Sequence, residues 1–127
     1  MSPLPNPVGW FEIHVQDLHR ARIFYEAVFK RTLAPLPSGD PSIEILMFSG
    51  DPQGAGINGA LVKHPMKQPS TEGALVYFSC ADCAVECELA VNAGGRVYKP
   101  KQGIGANGFV AIIGDSEGNA IGLHSFA

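Results

Sequence analysis

The chain is poor in charged residues, has only three cysteines and contains no long apolar run. Charged residues make up 17% of the 127, and the formal net charge is −3. We find no basic stripe of the kind that binds nucleic acid or an anionic membrane by electrostatics. No apolar run approaches the roughly 20 residues that span a bilayer. Three clustered cysteines are too few for a disulfide framework. We therefore expect a protein of the reducing cytoplasm, with no nucleic-acid or membrane partner.

The amino-terminal segment does not have the pattern of a targeting signal. Residues Met1 to Pro7 are uncharged and rich in proline, whereas signal and transit peptides begin with positive charge. The remaining composition is that of a compact domain, since hydrophobic residues make up 46% of the chain. A chain of this length is long enough to bury its own core. We expect one domain over residues 1–127.

An internal repeat is the most informative pattern in the sequence. The run GDPQG at Gly50–Gly54 returns as GDSEG at Gly114–Gly118, an offset of 114 − 50 = 64 residues. Asp17 and Asp82 each follow a strand pattern and open a helical pattern, and 82 − 17 = 65. A repeat this long indicates two similar modules in one chain rather than a solenoid unit. Two such modules can form a shared cup, which is where a ligand would bind.

Each module is predicted to be a strand, a helix and three further strands. The first spans about residues 8–62, with a helix over Leu18–Phe29 that Asp17 caps, and strands near 8–15, 32–36, 43–48 and 56–62. The second spans about residues 74–126, with a helix over 82–93 and strands near 74–80, 96–99, 109–113 and 120–126. Residues 63–73 are polar, contain two prolines and form the predicted linker.

Two motifs resemble a known superfamily. Val-x-Asp-Leu followed by Arg-Ala-x-x-Phe-Tyr, over Val15–Tyr25, resembles the opening of the vicinal oxygen chelate superfamily, which includes glyoxalase I, extradiol dioxygenases and bleomycin- or fosfomycin-resistance proteins. The closing run Asp115–Asn119, followed by a strand, resembles it as well. The resemblance covers about residues 8–126. It implies an α+β fold of two βαβββ modules, each an open four-stranded cup, with modules pairing again in a homodimer.

The metal positions that this resemblance implies hold unsuitable residues. Catalytic members usually hold one divalent metal through His, Glu or Gln on the first and last strand of each module. Carried onto this chain, those positions are Trp10, Asn58 (or Gly59), Leu75 and Gly122. None is a good ligand for a hard metal or offers an imidazole. We therefore expect no cofactor, and a divalent metal only at a displaced site; glyoxalase I and dioxygenase activities are disfavoured.

Three titratable residues are the candidate catalytic groups. Glu12 and His14 share the strand face of Trp10, which lines the cup in this fold, and His124 shares the face of Gly122. Such a set has the chemistry for general acid–base catalysis, for ligand recognition or for a displaced metal. The alternative is that all three are simply polar residues on a solvent-exposed wall of the cup.

Four residues are the candidate ligand-binding groups. Tyr77 and Ser79 share the face of Leu75, and with Trp10 they would make a partly aromatic pocket that suits a small organic molecule. Phe109 heads the strand after a Gly-rich loop and would close the mouth of the cup. For Tyr77 and Phe109 the alternative is structural packing.

Two further features of the sequence have functional interpretations. Glycine at 56, 59 and 122 removes side chains and would leave room in the cup for a ligand or for Trp10. Cys80 and Cys83 form a C-x-x-C at a strand–helix junction, but no second pair or thioredoxin-like context accompanies it. We interpret these cysteines as small buried residues.

Three functions remain open at this stage. The first is a cytoplasmic protein of glyoxalase/bleomycin-resistance type that binds a small organic ligand without the family's metal. The second is a lyase- or isomerase-type enzyme that uses Glu12, His14 or His124, with no metal or a displaced one. The third is a structural or regulatory module whose cup is filled by its own side chains.

Overall fold

The computed structural model describes residues 6–127. Most of the amino-terminal segment that lacks a targeting pattern, Met1 to Pro5, lies outside the described residues. The first half contains one helix and four strands: β1 (Glu12–His14), α1 (Leu18–Phe29), β2 (Leu33–Leu36), β3 (Glu44–Phe48) and β4 (Ala60–Lys63). The second half repeats that order: β5 (Tyr77–Ser79), α2 (Cys83–Asn92), β6 (Arg96–Gly103), β7 (Phe109–Gly114) and β8 (Ala120–Ser125). A single 3₁₀ turn, Gly105–Asn107, precedes β7.

The strands form two four-stranded sheets with the same topology. Their orders are β1-β4-β3-β2 and β5-β8-β7-β6. In each sheet the first strand is parallel to the last strand of its module, and the other pairs are antiparallel. The predicted α+β fold of two βαβββ modules is therefore confirmed. No helix in the described part of the chain is long and apolar enough to cross a membrane.

Helix α1 begins where the sequence pattern predicts, and α2 begins one residue later than predicted. The side chain of Asp17 accepts a hydrogen bond from the backbone N of Arg20, and that of Asp82 accepts one from the backbone N of Ala84. Each aspartate has an extended backbone, so it satisfies a helix N–H that has no partner within the helix. The two caps fix where each first strand ends and each helix starts.

The inner faces of both sheets meet in one hydrophobic core. The ring of Phe78, on β5, stacks on Phe29 of α1 at a centroid distance of 4.2 Å and packs edge-on against Phe48 of β3 at 5.6 Å. It also lies 6.0 Å from the rings of both Phe11 and Tyr25. Because a side chain of the second sheet is surrounded by rings of the first module, the modules share a single core. The other face of each sheet points away from that core.

A buried carboxylate joins the two modules. The hydroxyl of Tyr25, on α1, donates to Oδ2 of Asp115 at 2.6 Å. Burial, and then the charge of Asp115, raise the pKa of Tyr25 well above its usual value, so the phenol stays a donor. The amide of Asn119 donates to Asp115 Oδ2 and to the carbonyl of His14, at 3.0 and 2.8 Å. The turn between β7 and β8 is thus bonded to both α1 and β1.

A second carboxylate from the same turn caps α1 from outside its module. Glu117 Oε1 accepts from the backbone N of Gln16 and of Asp17, both at 3.0 Å. Arg20 reaches the same carboxylate through two nitrogens, at 2.6 and 2.8 Å. Burial by itself would raise the pKa of Glu117, but the bonds from Arg20, Asp17 and Gln16 lower the pKa to about 2.

The first and last strands of the first module are shorter than predicted, for backbone reasons. The predicted strand 56–62 is observed as β4, because Gly56 and Gly59 have positive φ angles of 81° and 69°. Such angles belong to turns and do not fit a strand. The predicted strand 8–15 keeps only the residues that pair with β4, which are those of β1. Trp10 therefore lies before the strand.

Two segments predicted as loop or linker have regular structure. β6 continues past residue 99 and through Pro100 to Gly103, with register shifts on both sides of Lys99. Proline is tolerated there because β6 is an edge strand and the shifts remove the need for a ladder bond from Pro100. In the predicted linker, Lys63 belongs to β4, and His64 forms an antiparallel bridge with Lys67.

We predict that Glu117→Gln destabilises the protein in a pH-dependent way. A carboxylate whose folded pKa is about 2, against an ordinary 4.5, adds stability that is complete above about pH 4.5 and is lost as the pH falls toward 2. The variant should lose about 1–3 kcal/mol of unfolding free energy at pH 7, since Arg20 is half-exposed and its share is screened. Urea unfolding at several pH values measures this. Glu88→Gln, on the exposed side of α2, is the control, and equal pH profiles for the two variants would contradict the prediction.

Candidate functional site

The outer faces of the two sheets hold the residues predicted to line a cup. On the first sheet, Glu12 and His14 lie opposite Ala60 and Val62 of β4. On the second sheet, Tyr77 and Ser79 lie opposite Gly122 and His124 of β8. The two sets occupy equivalent positions in the repeat. They lie on different sheets, and each faces away from the shared core.

His14 has a histidine neighbour that the sequence analysis missed. The ring centroids of His14 and His64 are 6.4 Å apart, and the planes are nearly perpendicular. Partial burial lowers the pKa of His14, and the charges of His64 and Lys67 lower it further against the opposing effect of Glu12. His14 is therefore neutral at pH 7 and can accept a proton. His64 follows β4 by one residue, and extending the alternation of Ala60 and Val62 by two positions would have placed it on this face.

His124 has one ring nitrogen engaged. Its Nε2 lies 2.6 Å from the carbonyl oxygen of Asn107. A carbonyl only accepts hydrogen bonds, so Nε2 must carry the hydrogen, and a base function would be left to Nδ1. The bond also attaches the Gly-rich loop before β7 to β8. Ser79 lies directly opposite His124 across the parallel pair.

The space predicted at two glycines is occupied by the protein's own rings. A Cβ atom on Gly122 would overlap the ring of Tyr77, and one on Gly59 would overlap the ring of Phe11. The expectation that glycine leaves room for a ligand or for Trp10 is therefore wrong at positions 59 and 122, whereas a Cβ atom on Gly56 would meet no atom within 4 Å. Glycine is needed at 59 and 122 because an aromatic ring, that of Phe11 or Tyr77, packs directly on the backbone there. Tyr77 remains half-exposed above Gly122.

The remaining predicted ligand-binding residues lie in two places. Trp10 lies just before β1 with 41% of its surface exposed. Phe109 lies on the inner face of its sheet and packs against the core. The Nζ atom of Lys101 lies over its ring, 4.5 Å from the centroid, in a cation–π contact. Lys101 also pairs with Asp82 at 2.8 Å. Phe109 thus lies on the opposite side of the sheet from Tyr77 and Ser79.

The positions expected for a metal hold no ligand atoms in the observed register. The backbone N of Ala60 bonds to the carbonyl of Phe11 just as that of Gly122 bonds to Val76, so the equivalent of Gly122 is Ala60 and not Asn58. The amide of Asn58 instead donates to the carbonyl of Phe48 at 3.0 Å. Within residues 6–127, no three His, Cys, Asp or Glu side chains are grouped as a metal site would require.

The three cysteines lie around the start of α2. All three are free, and Cys83 is fully buried, where it accepts a hydrogen bond from the hydroxyl of Ser125. Burial raises the pKa of Cys80 to about 12, so this thiol is not ionised at neutral pH. These surroundings favour a packing role.

Comparison with known proteins identifies the fold. No model of a protein family matches the chain, and no curated protein matches it. Among solved structures, glyoxalase I from Zea mays is 18% identical over 99% of this chain and 48% of its own, with a TM-score of 0.70. A member of the glyoxalase/bleomycin resistance protein/dioxygenase superfamily from Sphaerobacter thermophilus is 20% identical over 95% of this chain and 98% of its own, with a TM-score of 0.71. A domain of the same description from Frankia is 15% identical, with a TM-score of 0.72.

These matches show the glyoxalase/bleomycin resistance/dioxygenase fold. The chain spans about half the length of maize glyoxalase I and nearly the whole of the two bacterial structures. The superfamily resemblance of the two sequence motifs is thus confirmed at the level of the fold.

We predict that no divalent metal binds through positions 10, 60, 75 and 122. Trp, Ala, Leu and Gly side chains offer no oxygen, thiolate or imidazole ligand. Elemental analysis of the purified protein, and of the Trp10→Ala and Leu75→Ala variants, measures this. One equivalent of zinc, nickel or iron that disappears in either variant would contradict the prediction. Metal that persists in both variants but disappears in Glu12→Ala or His124→Ala would place it at the displaced site.

Proposed function

We propose that the protein binds a small organic ligand on the outer faces of its sheets, without the superfamily's metal. The observation that supports this most directly is the pairing of exposed aromatic rings with titratable groups on those faces. Trp10 and Tyr77 are 41% and 48% exposed. Trp10 lies just before β1, which holds Glu12 and His14, and Tyr77 shares β5 with Ser79. Aromatic surface with a few hydrogen-bonding groups is typical of small-molecule sites.

We further propose that a second copy of the chain completes the cup. Neither of the two cavities described in the monomer includes Trp10, Glu12, His14, Tyr77, Ser79 or His124. β1 and β5 are edge strands of only three residues each, and their outer edges have no strand partner within the described residues. Pairing β1 of one copy with β5 of another would cover both edges and set the two outer faces side by side.

A lyase- or isomerase-type enzyme is the second candidate, and one observation favours it. His14 lies next to Glu12 and has a lowered pKa, so a neutral imidazole with an adjacent carboxylate is present at neutral pH. His124 contributes less to such chemistry, since its Nε2 is engaged by Asn107.

As cellular location we propose the cytoplasm, because three free cysteines fit a reducing compartment.

We predict that ligand binding changes the fluorescence of Trp10. Trp10 is the only tryptophan, so its emission reports the outer face of the first sheet alone. The emission should also change with pH in a step below the ordinary imidazole pKa of 6.5, because the pKa of His14 is lowered. His14→Gln should remove that step, and His19→Gln, at an exposed position of α1, should retain it. The ligand is found by a thermal-shift screen over metabolites, since a molecule that binds only the folded state raises its stability.

Unchanged Trp10 emission would contradict the proposed outer-face site. If Trp10 emission stays constant from pH 5 to 8, and also with every compound that raises the melting temperature, the outer face is not the ligand site. The hypothesis of a structural or regulatory module would then gain over both binding and catalysis.

We predict that the protein is a homodimer in solution. The outer edges of β1 and β5 are proposed to pair between copies, so sedimentation at micromolar concentration should show a species of about twice the 13.5 kDa chain mass. A charge placed on the proposed edge, as in Ile13→Lys, would disrupt folding as well, because Ile13 is buried. Glu12→Lys is therefore the better variant and should shift the distribution toward monomer. A single 13.5 kDa species for the unaltered chain would overturn the prediction.

A further inference from the structure

A small cavity of about 230 Å³ lies at the carboxyl ends of β1 and β4. These two strands are parallel neighbours, so the residues that follow them meet at one edge of the sheet, beside the start of the antiparallel β3. The polar residues that line this basic pocket are Gln16, Ser42, Lys63, His64, Lys67 and Gln68. The rest of its lining is apolar. No acidic side chain lines it, although the chain as a whole has a net charge of −3.

The lysines of the basic pocket are not neutralised by ion pairs. The ion pairs found within residues 6–127 use Arg20, Arg22 and Lys101, and none uses Lys63 or Lys67. The backbone N of Lys67 bonds to the carbonyl of His64 at 3.3 Å. This bridge closes the turn that carries His64 and Lys67, two of the lining residues. Two lysines that form no ion pair within residues 6–127 therefore line one concave surface.

Three further groups can donate hydrogen bonds in the basic pocket. Nδ1 of His64 accepts from the backbone N of Met66 at 2.9 Å, so the hydrogen of the neutral ring is on Nε2. Oε1 of Gln68 accepts from Nε2 of Gln16 at 3.0 Å. That bond leaves the amide hydrogens of Gln68, and one of Gln16, without an assigned acceptor.

Two carboxylates lie next to residues of the basic pocket and screen part of its positive charge. Asp40 accepts from the backbone N and the hydroxyl of Ser42, at 2.9 and 2.8 Å. Those bonds lower the pKa of Asp40 and orient its charge toward Ser42. Glu44 lies directly across the sheet from Lys63, so Lys63 is the more screened of the two lysines. Lys67 should contribute most to binding an anion.

We propose that the basic pocket binds the anionic head group of a small molecule, either a carboxylate or a phosphate. Cavities that enclose a whole organic ligand usually measure about 300–1,000 Å³, so a space of about 230 Å³ fits a head group with the remainder in solvent. Ammonium groups and N–H donors bind these oxygen anions through charge-assisted hydrogen bonds. The basic pocket adjoins the outer face of the first sheet, since His64 lies next to His14, but anion binding in it does not require a ligand on that face.

Titration of the full chain with inorganic phosphate, followed by ¹H–¹⁵N NMR, tests this site. Parallel titrations use acetate, and sodium chloride at matched ionic strength. We expect saturable shifts at the amides of Gln16 and residues 63–68 with phosphate, with acetate or with both, and none with chloride. Lys67→Gln should weaken the apparent Kd about tenfold, since it removes one charge-assisted bond. Lys99→Gln, an exposed lysine of the second sheet, should leave the Kd unchanged.

Three results would overturn the inference: equal shifts with chloride, no saturable shift with either oxygen anion, or equal weakening in Lys99→Gln and Lys67→Gln. Lys63→Gln provides a second variant should Lys67→Gln fold poorly, and it should weaken binding by a smaller factor. The Trp10 emission experiment tests the outer-face ligand separately. Either proposal can therefore fail while the other stands.

Discussion

The buried carboxylate of Asp115 is the interaction on which the arrangement of the two modules depends. It accepts hydrogen bonds from the hydroxyl of Tyr25, the backbone N of Glu117, and both the backbone N and the amide of Asn119. A charged group that is only 5% exposed is tolerated because each of its oxygens has donors. Tyr25 belongs to α1 and Asn119 also bonds to β1 through His14, so one carboxylate joins both modules. The shared core forms around this connection.

Joining the modules in this way determines which surfaces remain for function. The inner faces of both sheets are closed by Phe78 and the rings around it. Chemistry is therefore left to the outer faces and to the strand ends. The outer faces hold Glu12, His14, Tyr77 and Ser79 as two separate halves, which is why the proposed function needs a second copy of the chain. The basic pocket at the ends of β1 and β4 needs no partner.

The sequence predicted local features well and shared surfaces less well. The bounds of α1 and the cap at Asp17 agree with the structure, and α2 lies within one residue of its predicted bounds, since helical spacing and capping are local properties. His64 was missed because it was assigned to a linker, although it continues the alternation of β4. The space expected at Gly122 was wrong because alternation indicates which face a position occupies but not which neighbour fills it. Whether the outer-face residues bind a ligand is a prediction still to be tested.

The two turns of the repeat separate what sequence determined from what tertiary structure decided. In both, the aspartate accepts from the backbone N two residues later, Asp51 from Gln53 and Asp115 from Glu117, at 2.9 and 2.8 Å. That turn is encoded locally, because its bonds lie within a few residues. Yet Asp51 is exposed and Asp115 is buried beneath Tyr25. Tyr25, 90 residues from Asp115 in the chain, meets it only because of how the inner faces pack. Packing depends on the fit of many side chains at once. The same motif is therefore a surface turn in one module and the central connection in the other.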